Sequence, residues 1–92
     1  MRIVSNYEIR DGAFELQLPE AAQILSVYTR FNMAFVAVLL DPNRQLEKRK
    51  FVFLATGEQL SDNVADRCRH IGQVQQNVDD HRVLGHLFEE KW

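Results

Sequence analysis

Apolar residues are concentrated in the middle of the chain, between residues 24 and 55. They form two nearly continuous runs at residues 24–27 and 33–40, followed by a further apolar run at residues 51–55 after a polar break. A run that is apolar at every position predicts a strand buried on both faces, as in the interior of a sheet. We therefore expect residues 33–40 to form the central strand and residues 49–55 to form a second interior strand.

The N-terminal segment alternates between apolar and polar positions, as expected of strands with one buried face. Residues 3–10 and 13–18 are predicted to be the first two strands. Asp11-Gly12 lies between them and favours a hairpin, because both residues tolerate positive φ. Pro19 should end the second strand, since it cannot donate a ladder hydrogen bond.

Turn residues separate the remaining elements. Residues 24–30 are predicted to be a strand that turns at Phe31-Asn32 into the central strand, which ends at Asp41-Pro42. Ser61 could cap a short helix over residues 62–69.

Two more strands are predicted at residues 71–76 and 82–89, with turn residues at 77–81 between them. The pattern as a whole predicts a mainly β, single-domain protein over residues 1–92, with six or seven short antiparallel strands and one short helix. Consecutive hairpins are the expected topology, in a small barrel or a sandwich-like sheet.

Composition limits the functional classes. The net charge is −2 and the pI is about 5.9, so the whole protein offers no polycationic surface for DNA or anionic lipid. The single cysteine, Cys68, cannot form an internal disulfide, which fits a reducing compartment. The N-terminus lacks the apolar core of a signal peptide, and the longest apolar run is too short for a membrane helix. We expect a cytosolic protein with no membrane contact.

Residues that could support catalysis are few and scattered. His70, His81 and His86 are far apart in sequence, and Cys68-x-His70 supplies only half of a zinc site. Cys68 could be a nucleophile with His70 or His86 as its base, but its neighbours are typical of an exposed helix end. We expect no metal, no cofactor and no enzymatic activity.

One segment is locally basic. Arg44, Lys48, Arg49 and Lys50 are offset only by Glu47. Such a loop could contact phosphates or an acidic protein surface. The alternative is a solvated loop whose lysines discourage edge-to-edge pairing of sheets.

The predicted turn after residue 30 carries a second candidate contact. Tyr28, Arg30 and Phe31 would lie at a hairpin tip, where aromatic rings beside a cation can stack on a base or anchor a partner. For Tyr28, packing in the core is the competing interpretation.

Several short signals occur in a fixed order along nearly the whole chain. In order they are Tyr7-Glu8-Ile9, Leu18-Pro19, Ala22-x-Ile24-Leu25-Ser26-Val27, Asp41-Pro42, Arg49-x-Phe51-x-Phe53, Thr56-Gly57, His70-Ile71-Gly72 and His86-Leu87-Phe88-Glu89. This order resembles that of a family of small phage and prophage proteins of unknown function. The chain has Glu58 where that family often has a histidine. It also ends in Glu90-Lys91-Trp92, and Trp92 is a further candidate for partner contact.

The resemblance implies a phage-encoded accessory protein of the host cytoplasm and no chemistry that can be transferred. We hypothesise a non-enzymatic inhibitor that binds a bacterial defence protein or ribonucleoprotein, most specifically an anti-CRISPR protein acting on a Cas effector complex. The basic segment could meet nucleic acid there, and the acidic residues Asp79, Asp80, Glu89 and Glu90 could meet basic grooves.

Two other hypotheses stay open. One is a sponge that sequesters a cyclic nucleotide, with Arg30, Arg49 and Tyr28 as contacts. The other is a minor structural protein of the virion.

Overall fold

The computed structural model describes residues 1–78 and 81–91. Within them the chain forms seven strands and one helix of four residues. They are β1 (Ile3–Glu8), β2 (Gly12–Pro19), β3 (Gln23–Arg30), β4 (Met33–Leu40), β5 (Leu46–Ala55), α1 (Asp62–Ala65), β6 (Cys68–Val78) and β7 (His81–Glu90). The prediction of a mainly β protein with antiparallel strands and one short helix is confirmed.

The strands form two antiparallel sheets. The three-stranded sheet has the order β1-β4-β3, and the four-stranded sheet has the order β2-β5-β7-β6. Among the described residues, consecutive strands pair only in β3–β4 and β6–β7. The chain changes sheet after β1, β2 and β4, so the expectation of consecutive hairpins throughout is only partly confirmed.

The predicted hairpin between the first two strands is wrong. β1 pairs with β4, and β2 pairs with β5. Each of the two N-terminal strands has one apolar face, and each lies beside one of the two most apolar strands in the chain. Gly12 does take a positive φ of 77°, but the turn carries the chain from one sheet to the other.

Alternate residues of both sheets form one core, so the sheets pack face to face. The central position of β4 is confirmed, since it lies between β1 and β3. Its inward residues Val36 and Val38 have no exposed surface, and Phe51 and Leu87 of the other sheet are equally buried. Phe14 stacks on Phe51 with ring centroids 5.5 Å apart.

Two predicted boundaries differ from the structure. β5 begins at Leu46, so most of the predicted basic loop is strand, because β2 pairs with it along residues 46–53. The helix is one turn long rather than eight residues, and none of its residues is buried. Ser61 occupies the N-cap position in extended backbone, without a side-chain cap bond.

No helix in the described residues has the length and apolarity needed to cross a bilayer.

A β-bulge in β6 determines which of its side chains face inward. The register with β7 shifts between His70 and Gly72, so Ile71 is the extra residue. Arg69 pairs with Glu89 before the bulge, and Val74 pairs with Gly85 after it. Paired residues lie on the same face of a sheet, and Glu89 and Gly85 both lie on the inner face. Arg69 and Val74 therefore also lie on the inner face, although they are five residues apart, an odd number.

Gly85 is a position where the core leaves no room for a side chain. A methyl group there would overlap the ring of Phe53, with Cε2 only 2.8 Å away, and Phe53 is itself buried. We expect Gly85→Ala to lower the free energy of unfolding by about 1–3 kcal/mol, because the ring must leave its place in a packed core. Urea unfolding followed by circular dichroism measures this change. Gly57→Ala is the contrasting variant, since its surroundings are open and only its positive φ of 97° opposes the substitution.

Candidate partner-binding site

The turn between β3 and β4 projects an aromatic side chain into solvent. Arg30 pairs with Met33, so Phe31 and Asn32 are the two central residues of a two-residue hairpin loop. Phe31 is 85% exposed, and Met33 beside it is 42% exposed. We call residues 30–33 the hairpin tip. The sequence prediction of a turn at Phe31-Asn32 is confirmed.

The backbone of the hairpin tip is strained at Phe31. Both central residues have positive φ, 52° for Phe31 and 59° for Asn32. A two-residue loop of this kind suits the twist of the flanking strands, and its first position is normally Asn, Asp or Gly. Asn32 tolerates the conformation, whereas a bulky residue such as Phe31 is disfavoured there. Strained residues with no packing role are often found at binding sites.

Hydrogen bonds to β6 hold the hairpin tip in one orientation. The Asn32 side-chain amide donates to the Asn77 carbonyl over 2.6 Å, and the Asn77 N–H donates back to Asn32 Oδ1 over 2.8 Å. The Thr29 hydroxyl donates to the carbonyl of Gln75 over 2.8 Å. The tip of one sheet is therefore fastened to the edge of the other, and Phe31 is presented on a fixed frame.

The cation and the ring predicted at this tip do meet. The Arg30 guanidinium carbon lies 5.2 Å from the centroid of the Phe31 ring, within the range of a cation–π contact. Tyr28 is half-buried and stacks on Phe35 at 5.6 Å, on the outer face of the three-stranded sheet. Tyr28 thus lies outside the core, on the same face of β3 as Arg30.

The predicted basic segment is divided between different surfaces. Arg44 belongs to the turn after β4 and lies 3.9 Å from Asp41 in an exposed ion pair. Lys48 and Lys50 are exposed on the outer face of β5. Arg49, between them, points inward, so only the two lysines remain together as a small cationic strip, which we call the lysine strip.

Arg49 is held in a partly buried ion cluster. Its Nε and Nη2 atoms donate to the two carboxylate oxygens of Glu89, over 2.5 and 2.8 Å. Its Nη1 atom donates to the carbonyl of Ala22 over 2.5 Å. Arg69 donates to Glu89 Oε1 over 3.1 Å from the other side. The side chain of Glu89 is 8% exposed and that of Arg49 is 17% exposed, so neither is available to bind a partner.

Two open grooves adjoin this cluster. One, of about 440 Å³, is lined mainly by charged residues: Glu47, Lys48, Arg49, Lys50, Arg69, Glu89, Glu90 and Lys91. The other, of about 620 Å³, separates the first residues of β3 from the first residues of β6 and includes Ile24, Arg69 and Ile71. The sheets are therefore less tightly closed at this corner than in the core around Val36.

Two of the three histidines meet on the outer face of the four-stranded sheet. His70 Nε2 lies 3.2 Å from His86 Nδ1, and the rings of His70 and Phe88 meet edge to face with centroids 5.3 Å apart. Cys68 lies two positions from His70 on the same face of β6. Within residues 1–78 and 81–91, no group of three or more His, Cys, Asp or Glu side chains has the geometry to hold a metal ion.

The surroundings of Cys68 do not favour the thiolate. Partial burial raises the pKa of the Cys68 thiol above its ordinary value. The negative charge of Glu90 raises this pKa further, and Arg67 opposes the shift. A nucleophilic cysteine needs the opposite shift.

Some predicted contacts lie outside the described residues, namely Asp79, Asp80 and Trp92. Of the acidic residues predicted to meet a basic groove, Glu89 is buried against Arg49, and Glu90 pairs with Arg67 at 3.3 Å.

Two residues essential to this arrangement are not evident from the sequence pattern. Asn77 falls among predicted turn residues, and its contact with Asn32 joins positions 45 residues apart. Glu89 is expected to be exposed, as a charged residue near the end of the chain. Glu89 lies two residues after the apolar Leu87, so both side chains are on the same face of the strand. This spacing is the one sequence feature that could have indicated the burial of Glu89.

Residues 1–92 match the domain of unknown function DUF7352, and the chain belongs to this family. Searches of curated proteins and of solved structures each found no significant match.

The strain at Phe31 can be measured by comparing two substitutions. Phe31→Ala and Phe31→Gly both remove the ring and its contact with Arg30, but only glycine accepts positive φ without steric cost. We expect the glycine variant to be more stable than the alanine variant by roughly 1 kcal/mol. Urea unfolding of the two proteins gives the difference directly. An alanine variant more stable than the glycine variant would mean that the backbone at this position carries no strain, because glycine then contributes only its larger loss of conformational entropy.

The ion cluster predicts different consequences for its two arginines. Arg49→Met removes the fork that holds buried Glu89, so we expect a loss of about 3 kcal/mol in the free energy of unfolding. Arg69→Met is the matched control, because the Arg69 side chain is 58% exposed and its loss should cost about 1 kcal/mol or less. Equal losses for the two variants would contradict the assignment of Arg49 as the principal partner.

Proposed function

We propose that this member of the DUF7352 family is a phage-encoded, non-enzymatic binding protein that inhibits a bacterial defence system in the host cytoplasm. Its most specific form is an anti-CRISPR protein that occludes a Cas effector complex. The observation that supports a binding role is the hairpin tip, where an 85% exposed Phe31 is presented in a strained but anchored backbone beneath Arg30. The link to phage rests on the order of short sequence signals. The step to CRISPR inhibition rests on association, since small phage proteins without catalytic constellations commonly act by binding.

An exposed aromatic ring on a fixed frame suits the role of an interface anchor. Aromatic residues and arginine dominate the binding energy of many interfaces because they fill a pocket on the partner. Little ordering entropy is lost when the anchor is already held in place, as Asn32 and Thr29 hold this one. The Arg30 guanidinium covers one face of the ring, which favours a partner pocket with acidic groups at its rim.

The lysine strip offers a second contact of different character. Lys48 and Lys50 are exposed and adjacent on one face of β5. They could contribute charge attraction to the RNA or DNA phosphates of an effector complex, a contribution that weakens as salt rises. We therefore assign Phe31 the main affinity and the lysines a rate-enhancing, salt-dependent role.

The cyclic-nucleotide hypothesis is not favoured by the geometry. It needs Arg49 beside Arg30 and Tyr28, and the Arg49 guanidinium is occupied by Glu89 and the Ala22 carbonyl. A ligand would have to displace this buried pair before it could use Arg49.

The experiment is binding of the purified protein to purified Cas effector ribonucleoproteins, combined with a phage-restriction assay in cells that carry the same system. We expect the wild type to bind one effector and to restore phage growth. Phe31→Ala and Phe31→Gly should each weaken binding by about 30-fold, as expected for loss of an anchor residue. Leu46→Ala removes another exposed apolar side chain, 57% exposed on the other sheet, and should bind as the wild type does.

The two Phe31 variants separate binding from folding. The glycine variant should be more stable than the alanine variant and yet equally defective, which a folding defect would not produce. The anti-CRISPR proposal would be rejected if the protein bound none of the effectors and left phage restriction unchanged in every system tested. If both Phe31 variants bind an effector as tightly as the wild type does, the hairpin tip is not the contact.

A further inference from the structure

The two sheets have four edge strands, and three of them carry features that hinder pairing with another chain. β3 has a bulge at Leu25, and its far end is fastened to β6. β6 has the bulge at Ile71. β2 ends in Pro19 and carries the charged Glu15 at its middle. Bulges, proline and charge are the usual protections of an exposed edge.

β1 differs from the other three. It pairs with β4 in a regular register over its whole length, without a bulge or a proline. Its outer edge is the end of the three-stranded sheet. Ile3 is 44% exposed and Val4 is 56% exposed, so apolar side chains flank the open backbone. A regular edge with neither bulge nor proline, and with exposed apolar side chains at its start, is a template for one more strand.

The hydrogen-bond pattern identifies which backbone groups are available. Ile9 donates its N–H to the carbonyl of Ala34 over 2.8 Å, continuing the register in which the odd residues of β1 exchange bonds with β4. Antiparallel pairs alternate between bonded and non-bonded positions. The N–H and C=O groups of Val4, Asn6 and Glu8 therefore point toward the free edge.

We propose that β1 pairs with β1 of a second copy of this chain, about a two-fold axis at Ser5, so that two three-stranded sheets become one six-stranded sheet. In this antiparallel register Val4 lies opposite Asn6 of the second copy, and Arg2 lies opposite its Glu8. Both are pairs of even residues, so the free backbone groups meet each other. The two-fold axis makes every contact occur twice.

Charge selects this register over its neighbours. Arg2 and Glu8 are both exposed, and neither has an ion pair within the described residues. Shifting the register by two residues in one direction places Arg2 opposite Arg10, which is repulsive. The opposite shift places Arg2 opposite Asn6 and leaves Glu8 without a cross-strand partner. Opposite charges directly across a strand pair stabilise it, and like charges destabilise it.

The same register provides its own test through charge exchange. Sedimentation equilibrium of the wild type should show a reversible dimer, with a dissociation constant on the order of 10–100 μM, because the interface is small. Arg2→Glu gives a strand with two acidic positions, and Glu8→Arg gives a strand with two basic positions. Each variant alone should dimerise at least 10-fold more weakly than the wild type, by about 1.4 kcal/mol or more.

Mixing the two variants should restore the dimer. In the heterodimer the carboxylate introduced by Arg2→Glu faces the guanidinium introduced by Glu8→Arg. The unchanged Glu8 of the first variant likewise faces the unchanged Arg2 of the second, so both contacts are complementary. Both substitutions are at exposed positions, and unchanged unfolding curves will show that each variant is folded. Glu15→Arg is the matched control, a charge reversal on the edge strand β2, and should dimerise as the wild type does.

The proposal is overturned by a wild type that stays monomeric up to about 1 mM, by a dimer unaffected by either charge variant, or by a mixture that fails to restore association. Loss of dimerisation in Glu15→Arg would place the interface on β2 instead. Binding of an unrelated extended peptide at β1 without self-association would show that the edge serves another protein, which also rejects the two-fold dimer.

Discussion

Arg49 constrains how the two sheets meet, because it holds Glu89 within the four-stranded sheet and also binds the segment that crosses to the other sheet. A carboxylate that is 8% exposed needs compensating donors, and the guanidinium fork supplies two of them from the neighbouring strand. The third donor of Arg49 reaches the Ala22 carbonyl, where the chain crosses from β2 to β3. One side chain therefore fixes β5, β7 and the crossing between the sheets. Two open grooves lie beside this charged cluster, so the sheets are less closely packed there than around Val36.

The opposite end of β3 is stabilised differently, and this permits strain at the hairpin tip. β4 contributes Val36 and Val38 to the core without any exposed surface, so the hairpin that it forms with β3 is firmly placed. Asn32 then adds two hydrogen bonds to Asn77 on the other sheet. With both strands fixed, the loop has no freedom to relax Phe31 into a common conformation. Stability in the core and in the Asn32 contact thus maintains a local conformation that Phe31 itself disfavours.

The strands and the hairpin tip are predictable from the sequence, because alternation and turn residues act locally. The pairing of the strands is not predictable in this way. The apolar face of residues 13–18 shows that this strand is half-buried, but β4 and β5 are equally suitable partners by that criterion. The charge pattern favours a basic loop around Arg49, because charged residues usually stay in water. Its partner Glu89 lies 40 positions away, and pairing over that distance has no local signal. The link between Asn32 and Asn77 escapes prediction for the same reason.

The order of the three-stranded sheet relates the two proposed surfaces to each other. β1 and β3 are its opposite edges, with β4 between them. A two-fold pairing at β1 would therefore leave both β3 edges at the outside of the six-stranded sheet, each with its hairpin tip exposed. Such a dimer presents two Phe31 anchors on one rigid scaffold. Binding at one tip would then raise the effective concentration of the other, provided that the partner offers two sites at a matching separation. A weak contact at each tip could in this way produce tight binding to a repetitive target, while a partner with a single site would gain nothing from the second tip.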